Sequence, residues 1–304
     1  MIKVFYDDRQ HVQHNQSFSP SAGKPAKVVA DWYNHNLPIA IEPVVPLTQE
    51  EIALAHNPDY VNGVLSLRIS NGFGNKMQEV ADSLYWTNGS ITSAARYAVT
   101  HQTQTVSPTS GFHHASYDSG GGFCTFNGLM IAAQILKQEG LLTNTGRIGI
   151  LDLDQHYGNG TDDIISELSL DYVSHYTIGG GMLSHRSGEA FLEKLPQIFK
   201  EYFSDVDLLL YQAGADSCID DPLGGTFTQG EMRIRDRKIF ELCKEYRLPV
   251  AWNLAGGYQT PFDNVLALHR ATLEEHLRVF EGISVNTGVE ESYMSSPGLA
   301  FDWI

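Results

Sequence analysis

Short apolar, β-branched runs recur along the chain, and each stops abruptly at a polar or glycine-rich segment. IKVFY stands near the start; QTVS at 104–107, RIGILDLD at 147–154, DYVSHY at 171–176, VDLLLYQ at 206–212 and LPVAWNLA at 248–255 follow. Runs this short and this apolar predict strands buried on both faces. Helical spacing fills the stretches between them. Two of these begin with a threonine followed three residues later by glutamate, Thr48 with Glu51 and Thr228 with Glu231, as a capping box requires. Strand and helix alternate, which predicts an α/β fold: a mostly parallel sheet covered by helices on both faces, with ligands bound beyond the carboxyl ends of the strands. SNGFGN at 70–75 reads as a loop. No internal repeat, low-complexity tract or Pro/Ser-rich linker divides the chain, so residues 1–304 are expected to form one domain.

The strand ends carry the candidate chemistry. QTVS leads to GFHHA, GILDLD runs into QHYGNG, LLLYQ ends in AGADS and VAWNLA ends in GGY. An apolar strand that stops in an ionisable residue costs desolvation energy unless that residue is paired, hydrogen-bonded or bound to metal, so several such ends on one edge predict a site. Asp152, Asp154 and His156 alternate along one strand and its extension. Period two places them on one side, with Leu151 and Leu153 on the other. A catalytic zinc typically takes three protein ligands and keeps a position for water. One more ligand must then come from another strand end, and Asp216 in GADS is the candidate; taken alone, it reads equally as a helix N-cap. Adjacent His113 and His114 suit proton transfer from water to a leaving amine, although adjacent histidines also arise by chance on surfaces. GGGFC, soon after them, reads as a loop of close backbone approach. Tyr258, behind Gly256 and Gly257, is either packed at a turn or a phenol placed to stabilise the oxyanion of amide hydrolysis.

Composition narrows the partners. Lys plus Arg number 20 against 36 Asp plus Glu, a formal charge of −16, which argues against nucleic-acid binding and favours a cationic substrate. Cys124, Cys218 and Cys243 are too few and too far apart for a disulfide framework or a paired-cysteine zinc site, so any metal must rest on histidine and carboxylates. No stretch approaches the roughly 18 to 20 apolar residues of a membrane span, and MIKVFYDD lacks the basic region of a signal peptide. The expectation is a soluble, cytoplasmic protein with no membrane partner.

FSPSAGKPAK, HNPDYV, SGFHHASYDSGGGFCTFNG, ILDLDQHYGNGTDDI, QAGADSCIDDPLGG and NLAGGY, in that order, resemble the histone deacetylase superfamily, which includes acetylpolyamine amidohydrolases, acetoin-utilisation proteins and bacterial deacetylase-like enzymes. The resemblance implies the arginase/deacetylase fold, three-layer α/β/α with an eight-stranded mainly parallel sheet, as a single catalytic domain. It implies a zinc-dependent amidohydrolase that removes an acetyl or other acyl group from an amine such as acyl-lysine, an acetylpolyamine or a small amide. The implied zinc ligands are Asp154, His156 and Asp216, with iron(II) as the alternative metal. A structural potassium ion is implied near the metal, held by Asp152, Asp154, His156 and backbone carbonyls, with Ser174 or a neighbour contributing. By the same resemblance His113 pairs with Asp152, His114 with Asn159, and Tyr258 polarises the scissile carbonyl. Asn159 is neutral where many relatives carry Asp, so His114 is expected to be the less basic histidine and the general base and acid. Phe123 matches an aromatic tunnel wall with Gly121 and Gly122 beside it, and Leu223, Gly256 and Gly257 complete the implied substrate contacts.

Departures from the family pattern refine these expectations. YTIGGGMLSHRSG lacks the aromatic and Pro-Gly pattern that usually forms the opposite tunnel wall, which implies a wider entrance. Lys27 stands about where many relatives carry Arg behind the metal, and SNGFGNKMQEVAD holds no clear counterpart of the rim Asp that binds substrate backbone in eukaryotic members. Leu223 replaces the Glu of polyamine-selective eukaryotic relatives, so that charge-based gate is absent, while Asp118, Asp220 and Asp221 still favour a cationic substrate. Two other readings stand beside this one. One is a two-manganese ureohydrolase, against which the Asp-x-Asp-x-His order argues; the other is a non-catalytic binder of an acylated ligand, although degenerate relatives usually lose the tyrosine or a metal ligand. A homo-oligomer is left open, and the C-terminal VNTGVEESYMSSPGLAFDWI carries no functional signal.

Overall fold

The computed structural model describes residues 1–180 and 188–283. Most of the departure expected in YTIGGGMLSHRSG, at 181–187, and the C-terminal segment lie outside the described residues.

Seven strands form one parallel sheet: β1 (Ile2–Phe5), β2 (Ile39–Glu42), β3 (Gln104–Ser107), β4 (Ile148–Asp152), β5 (Val173–Thr177), β6 (Leu208–Gly214) and β7 (Val250–Ala255). Their order is β2-β1-β3-β7-β6-β4-β5, and every pair is parallel. The expected eight strands are thus corrected to seven among the described residues, because β2 and β5 stand at the edges with no further strand beside them. Helices α1 (Lys24–Asn34), α2 (Gln49–Ile52), α3 (Pro58–Leu65), α4 (Gln78–His101), α5 (Gly128–Gln138), α6 (Asn159–Glu167), α7 (Gly188–Tyr202), α8 (Gln229–Tyr246) and α9 (Asp263–His276) make the other layers. Both threonine–glutamate pairs close as capping boxes, at the starts of α2 and α8. No helix among the described residues is long and apolar enough to cross a membrane.

Side-chain alternation along the central strands feeds two cores. Leu151, Leu209, Tyr211 and Trp252 pack with residues of α1, α7, α8 and α9. Ile148, Ile150, Leu208, Leu210 and Ala251 pack with α3, α4, α5 and α6. The continuous apolar composition of β4 and β6 follows from this double coverage, since neither face meets water. Four adjacent strands in the middle of the sheet, β3, β7, β6 and β4, direct their carboxyl ends to one edge.

Candidate metal and catalytic centre

Each of the four strand ends named above delivers its polar group to that edge. After β3, Gly111 (φ +96°) and Phe112 (φ +99°) turn the chain so that His113 enters the interior while His114 stays partly exposed. A buried, non-glycine Phe112 in the left-handed region is strained, and such strain is tolerated only where packing fixes it. The carbonyl of His113 accepts hydrogen bonds from Gly160 N at 2.8 Å and Thr161 N at 3.2 Å, which pins the first turn of α6 beneath the histidine pair.

Asp152 is fully buried and hydrogen-bonded at both oxygens. Its Oδ2 lies 2.7 Å from His113 Nδ1, and its Oδ1 accepts from Gln212 Nε2 at 2.9 Å and Asp154 N at 3.1 Å. Burial acts to lower the pKa of His113, but the charges of Asp152 and Asp154 outweigh it and lift it to about 9. His114 moves the other way, lowered first by burial and then by the neighbouring His113, whose ring lies 4.0 Å away centre to centre. The His114 Nδ1 sits 2.6 Å from the Asn159 amide. With the amide oxygen facing it, Nδ1–H donates and Nε2 of the neutral ring is free to accept a proton. With the amide turned, its NH2 donates to Nδ1 and reaches Tyr157 O at 3.3 Å, while its oxygen accepts from Gly160 N at 3.3 Å. Asn159 therefore selects the tautomer of His114.

Asp154, His156 and Asp216 bring ligand atoms within 4.8 Å of one another. His156 Nδ1 lies 3.0 Å from Asp154 Oδ1 and 2.9 Å from Asp216 Oδ2. The second contact has ion-pair distance without hydrogen-bond alignment, so Oδ2 of the fully buried Asp216 lacks a hydrogen-bond partner among the described residues. Two buried carboxylates around one imidazole, with an orphaned oxygen facing it, fit a divalent cation by donor type and number. The hydrogen bond to Asp154 and the close Asp216 carboxylate raise the His156 pKa to about 11, so a cation taking the same nitrogen displaces a proton.

Close backbone approach explains the glycines here. A Cβ at Gly256 (φ +49°) would stand 2.2 Å from Asp216 Cγ, and one at Gly122 (φ +52°) would stand 2.4 Å from His114 Cδ2. Gly257 is also left-handed, at φ +93°. The turn is held from both sides: Lys24 Nζ donates to Gly256 O, and Asp221 Oδ2 accepts from Tyr258 N at 2.7 Å. Burial first, then the charges of Asp154 and Asp216, push the pKa of the Tyr258 phenol upward, so the hydroxyl stays protonated and able to donate. The Phe123 ring lies 5.9 Å from that of Tyr258, and Phe73 and the exposed Phe18 pack on Phe123 at 6.1 and 5.2 Å. Leu223, partly exposed, follows Asp221 on the outer side.

Three expectations need correction. Lys27 is exposed, with its ammonium over Phe262, whereas Lys24 is fully buried behind the centre. Lys24 shares the buried face of α1 with Val28 and Trp32 at i+4 and i+8, a spacing Lys27 lacks; burial lowers its pKa to about 8 against the pull of Asp216, Asp154 and Asp221. Asp221 is buried and engaged with backbone N–H groups, so it is not available to a substrate, unlike exposed Asp118 and Asp220. Ser174 pairs with Gly149 while Thr177 pairs with Asp152, so alternation points Ser174 to the face opposite the Asp152 carboxylate and leaves His175 on the near face. Gln212 and Lys24 were missed; Lys24 had the helical spacing as its signal, and Gln212, inside β6, had its place as the polar residue that closes the apolar run VDLLLYQ.

The sequence model of a family described as the histone deacetylase domain matches residues 27–182. An uncharacterized protein of Picosynechococcus sp. is 29% identical over 246 residues, 72% of this chain and 80% of that protein. Histone deacetylase 2 of Arabidopsis thaliana is 26% identical over 260 residues, 74% of this chain, which spans only 65% of the length of that relative. Among solved structures, an acetylpolyamine aminohydrolase from Burkholderia pseudomallei superimposes with a TM-score of 0.72 at 19% identity, covering 92% of this chain and 99% of that one.

Proposed function

Because this chain belongs to the histone deacetylase family and is accordingly a hydrolase of amide bonds, we propose that it removes an acyl group from an amine at a single zinc ion held by Asp154, His156 and Asp216. The observation that carries the reading is the convergence of two buried carboxylates and one imidazole to within 4.8 Å, with one carboxylate oxygen orphaned. When bound there, zinc supplies Lewis acidity toward the acyl carbonyl and acidifies water. His114 takes a proton at Nε2 and returns it to the departing amine, a role that requires the Asn159 amide to present its oxygen, not its NH2, to Nδ1–H. His113, kept protonated by Asp152, supplies fixed positive charge beside it. The Tyr258 hydroxyl donates to the carbonyl oxygen as it gains charge. Phe123 and the adjoining Gly122 line the approach, Gly256 and Gly257 let the phenol turn in, and Leu223 borders the rim.

We read residues 1–304 as one catalytic domain with an acylated amine as substrate, its carrier small or peptidyl. Among the described residues one cluster of suitable ligands occurs, which favours one metal over a two-manganese centre.

Zinc-loaded protein assayed on acyl-lysine peptides, acetylpolyamines and small amides is expected to turn over at least one class, to stop on chelation and to recover with zinc. Failure on all three classes, with zinc shown bound, would sink the reading. Asn159→Asp provides a second check, on His114. A carboxylate 2.6 Å from Nδ1 stabilises the imidazolium, so the acid limb of kcat/KM, where the ring must be neutral, is expected to move to higher pH by about 1 unit. An unmoved limb would exclude His114 as the base.

A further inference from the structure

To free Asp154 and Asp216 from the sheet ladder, the backbone must leave strand pairing just before each of them. The register between β4 and β6 ends at Asp152 and Gln212, and Leu153 and Gly214 are the residues at which the two chains diverge. Departure of this kind orphans carbonyls in a dry interior, where each unpaired acceptor is costly. They come close together here: a Cβ on Gly214 would stand 2.4 Å from Asp154 Cα and 2.6 Å from Leu153 O.

A fully buried guanidinium meets these carbonyls from α8. Arg235 Nη1 donates to Gly214 O at 2.9 Å, with Ser217 Oγ at 3.3 Å and Leu153 O at 3.4 Å, while the Ser217 hydroxyl itself donates to Leu153 O. One cationic group thereby touches the residue before Asp154, the residue after Asp216 and the strand end between them. Its counter-ion, Asp236, accepts from Arg235 Nε at 2.8 Å, Tyr211 Oη at 2.5 Å and Thr272 Oγ1 at 2.6 Å, so the arginine is locked in orientation. An isolated buried charge is expensive, and this one is paired through Nε with Asp236 while Nη1 turns to the metal-bearing backbone.

We infer that Arg235 is a positioning residue for the metal: its Nη1, held in place by the Nε bond to Asp236, fastens the ends of β4 and β6 so that the Asp154 and Asp216 carboxylates stay at ligand spacing against their own repulsion. The inference rests on the metal reading above. Arg235 touches neither substrate nor catalytic histidine in this arrangement, so its action passes through the ligands alone.

Zinc affinity of the full-length chain, measured by competition with a chromogenic chelator, tests it, together with the visible band of the cobalt(II) form. Arg235→Met is expected to weaken zinc binding about 10- to 100-fold, the range for partners that orient metal ligands, and to shift the cobalt band. Arg235→Lys, which keeps the charge and one donor, should recover part of both. A folded Arg235→Met protein, judged by near-ultraviolet circular dichroism, that binds zinc as wild type does with an unchanged cobalt band would overturn the inference. If Arg235→Met fails to fold, Ser217→Ala carries the test: removal of the hydroxyl bridging the guanidinium to Leu153 O should weaken zinc binding by about threefold to tenfold, and unchanged affinity would overturn the inference. Wild-type protein that takes up no zinc would instead overturn the metal reading itself, and this inference with it.

Discussion

Tyr258→Phe is expected to lower kcat by about 10²- to 10³-fold while KM stays within about threefold, the signature of a hydrogen bond made as charge develops on the substrate oxygen. The substitution removes one oxygen and its hydrogen bond with the buried Ser21 side chain. Neither the Lys24 bond to Gly256 O nor the Asp221 bond to Tyr258 N involves the hydroxyl, so the turn keeps its anchors, and the phenyl ring keeps its neighbour Phe123. The turn also cannot relax cheaply, because the two left-handed glycines are pressed against Asp216 and Val265. Steady-state kinetics on the best substrate of the panel decide the matter. A kcat near the wild-type value would remove Tyr258 from the mechanism, while a change confined to KM would make it a binding residue.

Apolar runs that end at polar groups were the most readable feature of the chain, because a strand covered on both faces has no polar position to spare until it leaves the sheet. Asp152, Asp154, His156 and Asp216 stand out for that reason, and the strand ends that hold them meet at one edge. Less could be read where burial depends on tertiary packing. The edge strand β2, IAIE, is short and half exposed, and nothing in four residues separates it from a loop. Lys24 and Lys27 look alike until the spacing to Val28 and Trp32 is weighed, and only the docking of α1 makes that spacing decisive. Asp221 carries the same charge as Asp220 next to it, yet one turns inward to backbone amides and the other to water. Arg235 lies in a run of charged residues, MRIRDRK, whose pattern marks none of them for the interior, and its burial follows from Asp236 accepting from it while Tyr211 and Thr272 donate to Asp236 and close the network.

Asp216→Asn is expected to separate function from stability in opposite directions. Asparagine keeps the size of the side chain and an oxygen for the Gln155 N–H, which Asp216 Oδ1 accepts at 3.3 Å. It removes one of two carboxylates whose charges a cation must balance, so zinc affinity is expected to fall by on the order of 10³ or more, beyond the 10- to 100-fold typical of residues that merely orient ligands. Turnover at micromolar zinc should be lost with it. In chelated protein the sign reverses. Burial and the charge of Asp154 raise the Asp216 pKa to about 7, above its unfolded value, so ionising it costs the folded state stability, which is lost as pH rises from the ordinary carboxylate range through that value, with no further loss above it. The neutral asparagine avoids this cost, and the chelated variant should melt at or above chelated wild type at pH 8, with the gap narrowing toward pH 5. Adding zinc should raise the melting temperature of wild type and leave the variant almost unmoved, because only a ligand bound by the native state stabilises it. A variant that gains as much from zinc as wild type does would show that Asp216 is not a ligand.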